Sequence, residues 1–129
     1  MFTPHKSDNG AVLPWEYHAA AAGTYKAGQL VTVTGGKVAA ISGALATTPP
    51  YLCMADKTCQ ADELLPVTRI SKDYIYQTTL AAEAAEATVG TKLQVAAGGL
   101  QASGAAAGTF EVVSIDGTAA GSTVCGRWV

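Results

Sequence analysis

One phrase recurs along this chain and limits what it can fold into. A glycine precedes a short alternating apolar stretch, and in two places a Gly-Gly pair follows. Gly28-Gln-Leu-Val-Thr-Val33 runs into Gly35-Gly36 and then Lys37-Val38-Ala39-Ala40, while Gly90-Thr-Lys-Leu-Gln-Val95 runs into Gly98-Gly99 and then Leu100-Gln101-Ala102. Gly121-Ser-Thr-Val124 opens a last such stretch, and Ala61-Asp-Glu-Leu-Leu-Pro-Val67 has the same shape with alanine for glycine. Alternation with period two is the mark of a half-buried strand, and paired glycines supply the left-handed backbone of a tight hairpin turn. The spacing between copies is irregular, so the phrase reads as a habit of strand and turn and not as a true repeat.

Further strands follow from β-branched and aromatic residues between turn formers. They are Tyr51-Leu-Cys-Met-Ala55, Leu64 to Ile70, Tyr74-Ile-Tyr-Gln-Thr-Thr-Leu80, Thr109-Phe-Glu-Val-Val-Ser-Ile115 and Ser122 to Val129. Tyr51–Ala55 is apolar throughout and reads as central; Pro66 points to an edge or a bulge. Short strands about every eight to twelve residues, separated by Gly and Pro, predict an all-β fold, a small barrel or sandwich. Ala81-Ala-Glu-Ala-Ala-Glu-Ala87 is the exception. Its helix propensity, with Gly90 just past its end, predicts one short helix.

At 129 residues the chain is read as one domain. Its hydrophobic share of 49% includes 25 alanines, and aromatics are 7%. The core is therefore expected to be thin, with extra stability drawn from self-association or docking. The 8 basic residues are scattered and the net charge is −2, so no cationic block exists for nucleic acid or an anionic membrane. No stretch is long and apolar enough to span a bilayer, and no charged start with an apolar core marks an export signal. Cys53, Cys59 and Cys125 lack metal-knuckle spacing and read as buried structural thiols, in keeping with synthesis in a reducing cytoplasm.

Residues 1–24 read as an extended, partly packed N-terminal arm ahead of a β-rich domain over 25–129. The arm opens with polar turn formers. It then carries Leu13, Pro14, Trp15, Tyr17 and His18, a proline beside two large aromatics that need burial, internally or on a partner. Catalytic sets are not found. Gly35-Gly36-Lys37-Val38 fails the phosphate-loop pattern at positions 31 and 38, and His5 and His18 lie in the arm, away from any nucleophile. Asp56, Asp62, Glu63 and Asp73 fall at turns, where carboxylates cap backbone groups. No cofactor or metal site is expected, and the chain is read as a non-enzyme. Tyr74 and Tyr76 share a strand face, and Arg127 with Trp128 stands at the C-terminus. These four are candidates for self-association, with sugar stacking as the alternative.

The run of segments resembles a known family. Gln29-Leu-Val-Thr-Val-Thr-Gly-Gly-Lys-Val38, Pro50-Tyr-Leu-Cys-Met-Ala-Asp56, Glu63-Leu-Leu-Pro-Val-Thr-Arg-Ile70 and Tyr74-Ile-Tyr-Gln-Thr-Thr79 look like segments of the small head-decoration, or capsid cement, proteins of tailed bacteriophages of the lambda type. Val89-Gly-Thr-Lys-Leu-Gln-Val95 and Ile115-Asp-Gly-Thr118 look like segments of other phage structural proteins. The resemblance covers most of the chain through strand-and-turn phrases and carries no catalytic residues. It implies a β-tulip-like domain on the outside of an expanded capsid, commonly a trimer, with the arm on the major capsid protein. Leu13, Pro14, Trp15, Tyr17 and His18 would be the contact residues. The chain departs from the lambda type in its length, the 81–87 segment and an extra C-terminal hairpin. A tail or head-fibre component and a carbohydrate-binding β module are the alternatives.

Overall fold

The computed structural model describes residues 1–129 and is all-β. Its strands are β1 (Thr3–Ser7), β2 (Trp15–Ala19), β3 (Gly23–Tyr25), β4 (Leu30–Thr34), β5 (Lys37–Ala40), β6 (Tyr51–Cys53), β7 (Lys57–Cys59), β8 (Leu64–Arg69), β9 (Tyr74–Thr79), β10 (Lys92–Val95), β11 (Ala102–Ala106), β12 (Phe110–Ile115) and β13 (Thr123–Trp128). Three antiparallel sheets result, ordered β2-β8-β6-β4-β5, β1-β9-β13-β12-β10-β11 and β3-β7. No ladder closes any of them into a barrel. Each large sheet curls until its far strand touches the end of another at one parallel bridge, Ala20↔Val38 in the first and Leu80↔Ala102 in the second.

The two curled sheets share one plan. In each, with β1 set aside, the first strand in the chain pairs the last, the last pairs the fourth, and the fourth pairs the first strand of a hairpin. Individual hydrogen bonds match as well. Ala20 N–H donates to Glu63 C=O at 2.9 Å and Ala21 N–H to Val38 C=O; Leu80 N–H donates to Ser122 C=O at 3.0 Å and Ala81 N–H to Ala102 C=O. Gly28 N–H donates to Cys53 C=O and Cys53 N–H to Gln29 C=O, as Gly90 N–H does to Val112 C=O and Val112 N–H to Thr91 C=O. Even the side-chain cap repeats: Lys26 N–H donates to Gln29 Oε1 and Thr88 N–H to Thr91 Oγ1, both at 3.0 Å. The chain is thus a structural duplicate, 15–69 and 75–128, and the glycine phrase marks equivalent strands of its halves.

The cores correspond too. The first half buries Ala20, Val31, Val38, Tyr51, Cys53 and Val67 in one cluster with Tyr25 and Cys59 of the small β3–β7 sheet. The counterparts of the first five, Leu80, Leu93, Ala102, Phe110 and Val112, lie in the second cluster. Leu30 and Leu52, on the outer face of the first sheet, join that second cluster and cover its open end. All three cysteines are buried and free. The β4–β5 turn is the tight hairpin expected, with Gly35 and Gly36 at φ of 60° and 78° between paired Thr34 and Lys37.

Three expectations are corrected. Residues 81–87 form no helix, because distant segments capture their amides: Ala81 N–H donates to Ala102 C=O of β11 and Ala84 N–H to Thr118 C=O in the β12–β13 loop, and Ala84 and Ala87 are buried. Residues 1–24 are extended and partly packed, but they are strands of the two sheets and not an arm apart from them. β1 pairs β9, β2 pairs β8, and Phe2 is fully buried, its ring 5.6 Å from those of both Phe110 and Trp128. β8, which holds Pro66, is an interior strand. Its neighbour β6 ends at Cys53 opposite Val67, so no ladder partner needs the N–H that Pro66 lacks.

Candidate interaction face

Side chains in β2 alternate between the two faces of the first sheet. Trp15, Tyr17 and Ala19 stand opposite Thr68, Pro66 and Leu64 on the outer face, the one that Leu30 and Leu52 present to the second half. The second half covers this face only over β4 and β6. Over β2 and the Leu64 end of β8 it is open, although Thr68 is buried: Trp15 is 52% exposed, Tyr17 59% and Leu64 54%. Beside Trp15 a groove of about 220 Å³ runs between the sheets, lined by Pro4, Val12, Leu13, Met54, Thr68 and Tyr74. Scattered exposed apolar residues are ordinary, but a run of large ones beside an apolar groove marks a contact surface.

Glu16 and His18 point to the other face, at the open end of the first core. His18 Nε2 lies 3.0 Å from Glu16 Oε1, and the Arg69 guanidinium donates through Nε and Nη2 to both Glu16 oxygens at 3.3 and 3.1 Å. The Tyr51 ring lies beneath, 4.8 Å from the His18 ring and 5.1 Å from the Arg69 carbon. The hydrogen bond with His18, and then that with Arg69, hold the Glu16 carboxyl below its ordinary range. Glu16 and Arg69 are thus a mutually satisfied ion pair at the surface, with His18 hydrogen-bonded to it.

The residues expected to act together are therefore divided. Leu13, Trp15 and Tyr17 share one side of the first sheet, Pro14 is exposed before them, and His18 serves the opposite face. Of the four expected self-association residues, Tyr76 and Trp128 are fully buried in the second core and present no surface. Trp128 also keeps its indole N–H without a partner. Tyr74 is half-buried and donates its hydroxyl to Ala11 C=O; Arg127 is half-buried and paired to Asp8 at 2.6 Å. The buried pair also removes two of the rings a sugar-stacking platform would use. Sequence reading missed Leu64, Pro66 and Met54. The adjacency of Leu64 and Leu65 is the available signal, since neighbours in a strand cannot face the same core. No protein-family model matches the chain, and no curated protein matches it.

Proposed function

We propose that this chain is a structural virion protein that lies on the outer surface of a tailed-phage capsid, made in the bacterial cytoplasm, and holds the expanded head together. The face of Trp15, Tyr17 and Leu64 is the observation that carries the reading. These are large apolar side chains left exposed in a protein whose other big anchors, Phe2, Tyr76, Phe110 and Trp128, are fully buried. Trp and Tyr are the residue types that most often dominate a protein–protein contact. The family resemblance of the strand phrases supplies the partner, the major capsid protein. Many copies each adding binding free energy to a closed shell would resist its opening.

Co-sedimentation with undecorated, expanded capsids tests this. The wild-type chain binds saturably, and cryo-EM places it on the outer lattice and shows whether copies sit in threes. Trp15→Ala with Tyr17→Ala weakens binding at least about a hundredfold, as loss of two anchors should, with the melting temperature little changed. Absence of wild-type binding, or equal binding by the double variant, would sink the reading.

A further inference from the structure

An antiparallel ladder alternates between residue pairs that exchange hydrogen bonds and pairs that do not. Pro66 has no N–H, and its C=O accepts from Met54 on the β6 side. Tyr17, directly opposite Pro66, therefore turns its own N–H and C=O away from β8, and Trp15 does the same two residues earlier. β2 is the edge of its sheet. Its outer side is occupied only further along, where Ala20 and Ala21 meet β5.

The second half shows what such an edge can hold. Ile75 and Gln77 of β9 are the counterparts of Trp15 and Tyr17, and their outer side is filled. β1 lies along it with Lys6 opposite Ile75 and Thr3 opposite Gln77, and Asp8 N–H donates to Asp73 C=O at 2.8 Å. The closing bridge at Leu80 is in place at the same time, so a sixth strand and the bridge are compatible on this module. The other outer edges of the two large sheets are guarded. β1 carries Pro4, Lys6 and a register shift between them. β11 is flanked by the 81–84 segment, with Gly104 against the Glu83 carbonyl, and β5 is met by the bridge at Val38. Bulges, prolines, lysines, charges and covering segments are the usual devices that keep edges from pairing; within the Trp15–Tyr17 edge only Glu16 is of this kind, and it is paired to Arg69, while Pro14 stands just before the edge.

The geometry points to a strand-acceptor site: the Trp15–Tyr17 edge of β2 takes up an extended, antiparallel segment of the protein on which the chain docks, as β9 takes up β1. This rests on the capsid reading above and names how the partner is held. Alternate residues of the incoming strand lie beside Trp15 and Tyr17 and should be apolar. Those between lie beside Glu16, His18 and Arg69 and should be uncharged, since Glu16 and Arg69 already satisfy each other. A second copy of β2 is a poor occupant. Pairing Trp15 of one copy with Tyr17 of the other sets two Glu16 carboxylates directly opposite, and like charges so placed are destabilising. Sliding the copies to set Tyr17 against Tyr17 brings the incoming Trp15 to Ala19, beside the crossing of β5.

Hydrogen exchange on the full chain, free and bound to expanded capsids, reads this directly. Amides of Trp15 and Tyr17 should exchange freely in the unbound protein and slow at least about a hundredfold on the capsid, while those of Glu16 and His18, held by β8, are protected in both. Tyr17→Ala and Tyr17→Pro form the companion pair. Both lose the ring, but only proline loses the outward N–H, and it leaves the β2–β8 ladder intact. Tyr17→Ala should bind more weakly than wild type, and Tyr17→Pro should lose saturable binding at an unchanged melting temperature. Wild-type binding with Trp15 and Tyr17 still exchanging at the free rate overturns strand addition and leaves the decoration role standing. That result needs no variant to fold. Failure of the wild-type chain to bind capsids overturns the role and this partner together.

Discussion

The two halves of this chain are built on one plan and differ most at the open ends of their cores. In the first half Glu16, His18 and Arg69 stand there over the buried Tyr51 ring, open to solvent and tied by hydrogen bonds. In the second, the matching positions hold Tyr76, Thr78, Phe110 and Trp128, all buried, with Phe2 added from the N-terminus. The Trp128 ring lies 5.0 Å from that of Tyr76, edge to face, and 4.8 Å from that of Phe110, tilted against it. The difference follows from what lies above. Leu30, Leu52 and Phe2 cover the second end, so apolar burial is available, at about 25 cal/mol per Å². Nothing covers the first end, so polar groups that tolerate water occupy it. One backbone plan accepts either solution, and the choice is made by what packs on top.

The sharpest way to test this contrast is to cut each end. Phe2→Ala removes a buried ring wedged between Phe110 and Trp128 and should cost about 3–5 kcal/mol in chemical denaturation. Arg69→Ala removes a side chain 63% exposed and should cost about 1 kcal/mol or less, because exposed ion pairs contribute little. Equal losses would mean that the two ends are energetically alike. Truncating the N-terminus is for the same reason a poor probe of docking, since it unseats Phe2 and β1 from the second core.

A middle-sized effect separates two equivalent glycines. Gly28 and Gly90 begin matching strands with φ of 85° and 95°. Any side chain there meets the left-handed penalty of about 1–2 kcal/mol. At Gly90 nothing lies within 4 Å of an added Cβ, but at Gly28 it would come within 2.6 Å of Met1 Cβ and 3.0 Å of the Phe2 carbonyl. Gly28→Ala should therefore lower the melting temperature more than Gly90→Ala. Identical shifts would show that the N-terminal segment yields without loss.

The smallest expected effect is in acid. Glu16 has its folded-state pKa lowered, so its contribution is present above the ordinary carboxyl value of 4.5 and is lost as pH falls through the lowered one. The second half has Tyr76 at that position, with no carboxylate. Glu16→Gln should flatten the fall in melting temperature below about pH 4.5 and leave the neutral region nearly unchanged. An unaltered acid limb would assign that sensitivity to other carboxylates.

Strand positions were legible because alternation is a local signal. β8, β9, β12 and β13 fall where Val, Ile, Tyr and Thr lie between turn formers. The duplication was misread from the sequence, where irregular spacing argued against a true repeat. The glycine phrase shows it, but each loop shifts the correspondence, and matched positions exchange chemistry outright, Glu16 for Tyr76 and Arg69 for Trp128. The 81–87 segment misled because helix propensity is local, whereas the carbonyls of Ala102 and Thr118 that claim its amides are distant in sequence. Trp15 and Tyr17 were legible as aromatics in need of a partner, and the structure leaves them exposed. Phe2 gave no local sign of entering a core, since its partners lie more than a hundred residues further along the chain.

The chain holds two tryptophans, one in each half and in opposite surroundings. Trp128 is enclosed among aromatic rings, and Trp15 stands in solvent beside a groove. The molecule thus carries its own pair of optical reporters. The long-wavelength part of its emission belongs to the exposed face and shifts when something covers Trp15. The short-wavelength part belongs to the second core and shifts when Phe2 leaves it. Occupancy and integrity can then be followed in one cuvette, at separate colours, without a label.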